Sequence, residues 1–167
     1  MNLELAKSGQ SQEIANLVNQ AYRGEIGWTK EGHLVSGDRV SSKQIENIIL
    51  NKNSYLLVVK NNVNIISCIC IDEKDGNAYF GLFAVNPNMQ SKNIGKQVLQ
   101  LAEKYTKDIL KLDKIKMVVI SQREELVSYY ERRGYIKIKI NQDYPKNLDV
   151  GSPKIKGLTI EHLEKSI

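Results

Sequence analysis

The sequence predicts a mixed α/β (α+β) fold: a mostly antiparallel central sheet of about seven strands, flanked by helices on both faces. Three observations predict it. Residues 54–60, 63–72 and 78–85 are apolar, strand-like runs joined by the turn signals Asn61-Asn62 and Lys74-Asp75-Gly76, an antiparallel meander. Two stretches show helical spacing: Ile14, Leu17, Val18, Ala21 and Tyr22, then Ile94, Val98, Ala102, Tyr105, Ile109 and Leu112. Between later helices, Met117-Val118-Val119-Ile120 is an unbroken apolar run, as expected of a central strand buried on both faces.

The elements follow in order. Residues 2–7 alternate Leu3 and Leu5 with polar neighbours, a strand. Ser8-Gly9-Gln10-Ser11 turns the chain into the first helix. Residues 24–39 break the pattern with Gly24, Gly27, Gly32 and Gly37, and hold the only Trp, Trp28. A loop this long is either a functional wall or a surface excursion anchored by Trp28. Ser41-Ser42-Lys43-Gln44 has the form of a capping box, ahead of a short helix with Ile45, Ile48 and Ile49 inward. Ser121-Gln122-Arg123-Glu124 repeats that form before a helix with Leu126, Val127 and Tyr130 on its apolar side. Gly134 sits where a left-handed C-terminal residue belongs. Residues 135–141 alternate as a half-exposed strand, residues 143–153 are turn-rich, and residues 157–163 form a last strand. The order β-α-α-β-β-β-α-β-α-β-β fits one domain over residues 1–167.

Composition narrows the function classes. With 41% hydrophobic and 26% charged residues the chain reads as a soluble globular protein. No apolar run approaches the roughly 20 residues of a membrane helix, so no membrane partner is expected. The N-terminus has no basic region followed by an apolar core, and a cytoplasmic location is the default expectation. Cys68 and Cys70, the only cysteines, lie on one face of a strand and suit buried free thiols better than a metal site. The net charge is +5, but Lys and Arg are spread along the chain without a basic stripe, so no nucleic-acid partner is expected. An exposed strand near the C-terminus is compatible with a homodimer.

The chemistry concentrates in residues 78–112. The strand ends at Asn86-Pro87-Asn88, since Pro87 has no ladder donor. The loop Gln90-Ser91-Lys92-Asn93-Ile94-Gly95-Lys96 is basic and carries no acid, and a helix follows. Strand, basic loop and helix N-terminus together direct free N–H groups and the positive end of a dipole at the loop, an arrangement suited to a phosphate.

These blocks resemble the GNAT superfamily of N-acetyltransferases. Gln90-Ser91-Lys92-Asn93-Ile94-Gly95 matches its Gln/Arg-x-x-Gly-x-Gly/Ala loop. Val85-Asn86-Pro87 matches the Val-x-Pro that ends its fourth strand. Tyr130-Glu131-Arg132-Arg133-Gly134-Tyr135 matches its aromatic-Glu-basic-x-Gly-aromatic pattern. The blocks come in the family's order, and the resemblance covers nearly the whole chain. It implies acetyl-CoA as cosubstrate and a small-molecule amine as acceptor, joined by direct attack on the thioester. It implies that pantetheine pairs with Phe83, Ala84 and Val85, and that the pyrophosphate lies on the N–H groups of Gln90, Ser91, Lys92, Asn93, Ile94, Gly95 and Lys96. A Tyr at the place of Tyr130 acts in the family as general acid for the leaving thiolate, with Tyr129 as its neighbour. Two positions depart from the family. Asn93 stands where its first loop glycine belongs, and Asn tolerates positive φ. Arg123 stands where many members have an Asn that contacts the cofactor; it could reach the 3′-phosphate, the pantetheine or solvent.

The general base is open. The strand at 78–85 has no acid, and Glu25, Glu31, Asp72 and His33 are candidates by composition alone. On the acceptor side the candidates are Trp28, Arg39 and Tyr79, the one titratable residue of that strand, with Arg23 or Arg39 able to hold a carboxylate. Amino acids, polyamines and drug-like amines fit equally well at this level. A second reading keeps the fold but makes the protein a catalytically weak CoA-binding sensor or partner protein.

Overall fold

A computed structural model describes residues 1–90, 92–146 and 148–167. The elements are β1 (Glu4–Leu5), α1 (Ser11–Arg23), β2 (Val35–Ser36), α2 (Ser42–Leu50), β3 (Ser54–Asn61), β4 (Asn64–Lys74), β5 (Asn77–Val85), α3 (Ile94–Asp108), β6 (Lys114–Ile120), α4 (Glu124–Glu131), β7 (Ile136–Asp143), β8 (Ser152–Pro153) and β9 (Thr159–Ser166). Seven strands form one sheet in the order β1-β3-β4-β5-β6-β9-β7. Only β5 and β6 pair in parallel; the other neighbours are antiparallel. A separate two-stranded ribbon joins β2 to β8. No helix among the described residues is long and apolar enough to cross a membrane.

The sheet is sandwiched by two cores. On one face α1 and α2 bury Ile14, Val18 and Ile45 against Leu56, Val58, Cys68 and Cys70. On the other, α3 and α4 bury Val98, Leu99, Ala102 and Val127 against Leu57, Ile69, Ile71, Ile115 and Leu163. Each such aliphatic side chain contributes roughly 1.5–3 kcal/mol on burial. The meander turns form as the sequence predicts: Asn62, Asp75 and Gly76 all take positive φ. Ser41 and Gln44 make the reciprocal capping bonds of α2, at 3.2 and 2.7 Å.

Five expectations are corrected. Val118 is 53% exposed, because β6 borders an opening in the sheet instead of lying between two covered faces. The second capping box does not form. Arg123 is the N-cap of α4 without a side-chain cap bond, and Gln122 turns instead to Gly157 O and Thr159 N at the start of β9. Helix α3 stops at Asp108, which leaves Ile109 62% exposed and outside the core. The fourth correction concerns residues 24–39 and 143–153, which meet each other through β2 and β8. The last strand also begins and ends later than expected.

The strand that matters most for the site is β5. Cys68 pairs with Ala84 and Cys70 with Gly81, so Leu82 and Phe83 together oppose Ile69, a β-bulge. Leu82 has φ +46°, a costly conformation for a branched side chain. The bulge shifts the phase of the strand. Phe80, Phe83 and Val85 all serve the α3 side, whereas Leu82 and Ala84 serve the α1 side.

Burial of neutral thiols and phenols predicts an alkaline limit to stability. Burial pushes Cys68 and Tyr22 up to about 12 and raises Cys70, Tyr130 and Tyr135 as well. The unfolded chain then loses these protons first, so their contribution is complete below the unfolded thiol value of about 8.5 and declines as pH rises towards 12. Each group removes about 1.4 kcal/mol per pH unit within its window. Urea unfolding should show a shallow loss of stability above about pH 8.5 and a steeper one above about 10, where the tyrosines join. A flat profile to about pH 11 would contradict this reading.

Candidate active site

The β5–β6 ladder ends early. Ala78, Tyr79 and Phe80 pair with Ile115, Lys116 and Met117, and no β6 partner follows. From the bulge onward the two strands part, and a cleft of about 330 Å³ opens between residues 81–85 and Val118–Ile120. One side of β5 is thereby left with backbone groups to offer to an extended ligand.

At one end of the cleft stands the start of α3. Asn93 has φ +60° and ψ +7°, the left-handed conformation its side chain tolerates, and makes no side-chain cap. The first intrahelical bond runs from Gln97 N to Asn93 O, so the N–H groups of Ile94, Gly95 and Lys96 are open. No acid occupies that first turn. Gly95 allows close approach: a Cβ there would lie 3.3 Å from Tyr129 Oη. Arg133 stacks on the Tyr129 ring at 3.3 Å and faces the same cleft; its Nε is buried with no partner among the described residues. Three free N–H groups, a helix dipole, Lys96 and an unpartnered guanidinium N–H form a donor set that fits a phosphate-bearing ligand.

Tyr130 lines the middle of the cleft, 6% exposed, edge-on to both Tyr129 and Tyr135. Burial holds its hydroxyl well above the ordinary tyrosine range; Tyr22 and Tyr129 add to this, while Arg133 and Arg123 oppose it. It stays protonated at neutral and mildly alkaline pH and is available as a proton donor.

The far wall is built from residues 24–39 and 143–153. Arg23 pairs with Glu31 and donates to Gly37 O at 2.9 Å and Val150 O at 2.8 Å. Gly151, at φ +95°, admits this packing, since a Cβ would meet Ser36 O at 2.5 Å. Tyr144 donates to Val150 O. Tyr22 donates to Phe83 O at the bulge, 3.3 Å, and Arg39 lies over the Tyr22 ring at 5.6 Å.

The profile of the acetyltransferase (GNAT) domain matches residues 9–147. The chain belongs to the GNAT acetyltransferase family. It is an N-acetyltransferase, and acetyl-CoA is its cosubstrate. No curated protein matches the sequence. Solved structures with the same fold include spermidine N-acetyltransferase from Vibrio cholerae in complex with CoA and spermine (TM-score 0.72, 19% identity, 99% of this chain and 94% of that one). Others are an N-acetyltransferase from Staphylococcus aureus Mu50 (0.76, 13%, 99% and 96%) and the ribosomal-protein-S18-alanine N-acetyltransferase from Escherichia coli (0.74, 11%, 99% and 93%).

Against this GNAT frame the residues singled out by sequence fall into groups. Phe83, Val85, Gln90, Asn93, Ile94, Gly95, Lys96 and Tyr130 all line the cleft, and so do Trp28 and Arg39. Ala84 turns its methyl into the α1 core, pairs with Cys68 of β4, accepts from Ser67 Oγ at 2.7 Å, and is not part of the cleft lining. The Gln90 side chain is already engaged, bridging Trp28 N, Thr29 Oγ1 and Val85 O. Lys92 is exposed outside the lining, and Ser91 lies outside the described residues. Tyr79 is not brought to the cleft. It sits where β5 still pairs with β6, beside Lys116 Nζ at 5.8 Å. Arg123 lines the cleft but is 2% exposed, so it does not face solvent. Its guanidinium bonds Thr29 O at 2.9 Å, Trp28 O at 3.0 Å and Glu125 at 2.5 Å. Of the four base candidates only Glu31 reaches the cleft. Tyr22, Tyr144 and Arg133 were not singled out. Tyr22 carries a hydroxyl at the end of an apolar helix face, and Arg133 lies four residues after Tyr129, the signals that mark both.

Proposed function

We propose that the protein transfers the acetyl group of acetyl-CoA to a primary amine of a small molecule by direct attack within the β5–β6 cleft. The observation that carries this reading is the alignment of three features along one groove: the open N–H groups of α3, the unpaired edge of β5 beyond its bulge, and the protonated Tyr130 hydroxyl between them. Bound acetyl-CoA supplies an activated thioester. Ile94, Gly95 and Lys96 hold its pyrophosphate through backbone N–H groups, with Lys96 and Arg133 adding charge. Phe83, Ala84 and Val85 hold the pantetheine arm as an added strand, and the Val85 N–H polarises the carbonyl. As the new carbon–nitrogen bond forms and the carbon–sulfur bond breaks, Tyr130 gives its proton to the departing sulfur. The nitrogen loses one proton to water, and Tyr130 is reprotonated from solvent. Glu31 does not take that proton in this reading, because Arg23 and Arg123 occupy its carboxylate. Trp28, Tyr22 and Tyr144 shape the acceptor side.

The test is thiol release from acetyl-CoA with a panel of primary amines, with acetylated product identified by mass. Amine-dependent release at steady state is expected. Thermal stabilisation by acetyl-CoA without release on any amine would replace this reading with the CoA-binding sensor.

A further inference from the structure

The charges at the acceptor end of the cleft bear on what the amine is attached to. Arg23, Glu31, Arg39 and Arg123 line it or adjoin it. Glu31 is the one carboxylate among the described lining residues, and it lies between two guanidiniums, paired to Arg23 and 3.8 Å from Arg123. The other donors of Arg23 go to Gly37 O and Val150 O, and those of Arg123 to Trp28 O, Thr29 O and Glu125. These groups hold the wall and have little left for a ligand.

Arg39 is different. Its backbone N–H is held by Asn19 Oδ1 at 2.8 Å, which fixes where the side chain starts. Among the described residues its guanidinium has no ion pair or hydrogen bond, and it rests on the face of Tyr22. The hydroxyl of that same Tyr22 bonds Phe83 O at the bulge. One tyrosine side chain thus separates an unengaged planar cation from the strand edge where acetyl transfer takes place. The lining of the same cleft also includes the apolar Leu82, Leu148 and Val150.

We propose that the acceptor bears a carboxylate as well as its amine, a compact aminocarboxylate of the amino-acid class, and that Arg39 is the specificity-determining residue that binds the carboxylate. The proposal rests on the acyltransfer reading above. A guanidinium fork matches a carboxylate bidentately, and partial shielding from water strengthens the pair. The bound carboxylate balances the surplus positive charge at this end and leaves the amine directed at β5. A polyamine would bring several ammonium groups to a cleft whose one carboxylate among the described lining residues is already taken.

The experiment measures kcat/KM by thiol release for matched pairs: leucine against isoamylamine, phenylalanine against phenethylamine, and an ω-amino acid against the alkylamine of equal length. Spermidine and phosphoethanolamine complete the panel. The carboxylate member of at least one pair should exceed its partner by about 30-fold, as expected of a charge-assisted bidentate contact. Arg39→Gln should cut that ratio about tenfold or more, chiefly through KM, and Arg39→Lys should restore part of it. Acetyl-CoA-induced thermal stabilisation of both variants verifies that they are folded. Equal rates within all pairs, or a preference for spermidine or phosphoethanolamine, overturns the carboxylate assignment and leaves acyltransfer standing. Absence of thiol release with every amine overturns both.

Discussion

Tyr130→Phe should lower kcat about 100-fold while leaving the KM for acetyl-CoA within a few-fold of the wild-type value, the split expected when a group acts on the leaving atom only in the transition state. The substitution removes one oxygen. The ring keeps its edge-on contacts with Tyr129 and Tyr135, so the helix and the core around Val127 remain packed. No hydrogen bond from the Tyr130 hydroxyl to the protein is present among the described residues, so no buried partner is orphaned by its loss. Steady-state rates on a saturating amine, with the melting temperature measured alongside, check the prediction. The pH profile adds a second check. Because burial raises the Tyr130 value above the ordinary 10, the wild-type enzyme keeps its acid form through the alkaline range, and its kcat should not fall between about pH 8 and 10. Activity equal to wild type in the Phe variant would remove Tyr130 from the mechanism and direct attention to Tyr129, whose hydroxyl lies against Gly95.

Arg123→Ala carries the largest expected effect on stability. The guanidinium is buried and bonds two loop carbonyls and two carboxylates, so its removal strands Trp28 O, Thr29 O and one side of Glu31. Breaking a buried charge network in this way costs about 3–5 kcal/mol. For a domain of this length that corresponds to a melting temperature lower by about 10 °C. Arg123→Lys should recover little, because an ammonium cannot span the carbonyls of two successive residues and a carboxylate at once. The KM for the amine should rise in both variants, since Trp28 and Thr29 lose one anchor and keep their hydrogen bonds to Gln90 and Ala21. An Arg123→Ala protein with wild-type melting temperature would show that the wall is held from elsewhere.

The sequence made the frame legible where local chemistry decides it. Asn61-Asn62 and Lys74-Asp75-Gly76 place the meander because few residues accept positive φ, and Ser41 with Gln44 marks the start of α2 because the two side chains satisfy each other's backbone. The loop at 90–96 was legible for the same reason, as an acid-free entry to a helix. What stayed hidden depends on long-range contact. At Leu82 the one local sign of a bulge is the isolated Gly81 before it, and the bulge decides which side chains of β5 face which core. Nor does periodicity reveal that β5 and β6 part after Phe80, which is why Val118 read as core and Tyr79 as a cleft residue. The β2–β8 ribbon is two residues on each side and joins segments more than a hundred residues apart, below the reach of any pattern. Arg123 invited a reading as a cofactor contact because its position in the chain is compatible with one. The carbonyls it bonds lie 94 and 95 residues away, contacts that no local pattern shows.

The two arginines that hold the acceptor wall fasten on main-chain oxygens: Gly37 and Val150 for Arg23, Trp28 and Thr29 for Arg123. Every residue has that oxygen, whatever its side chain. Point changes at Trp28, Thr29 or Val150 can therefore alter the chamber's shape and polarity while the fastening persists. The cofactor groove, built on β5, α3 and α4, need not register such changes. Preference among amines is thus free to drift through single substitutions, with the acetyl donor and the chemistry held constant.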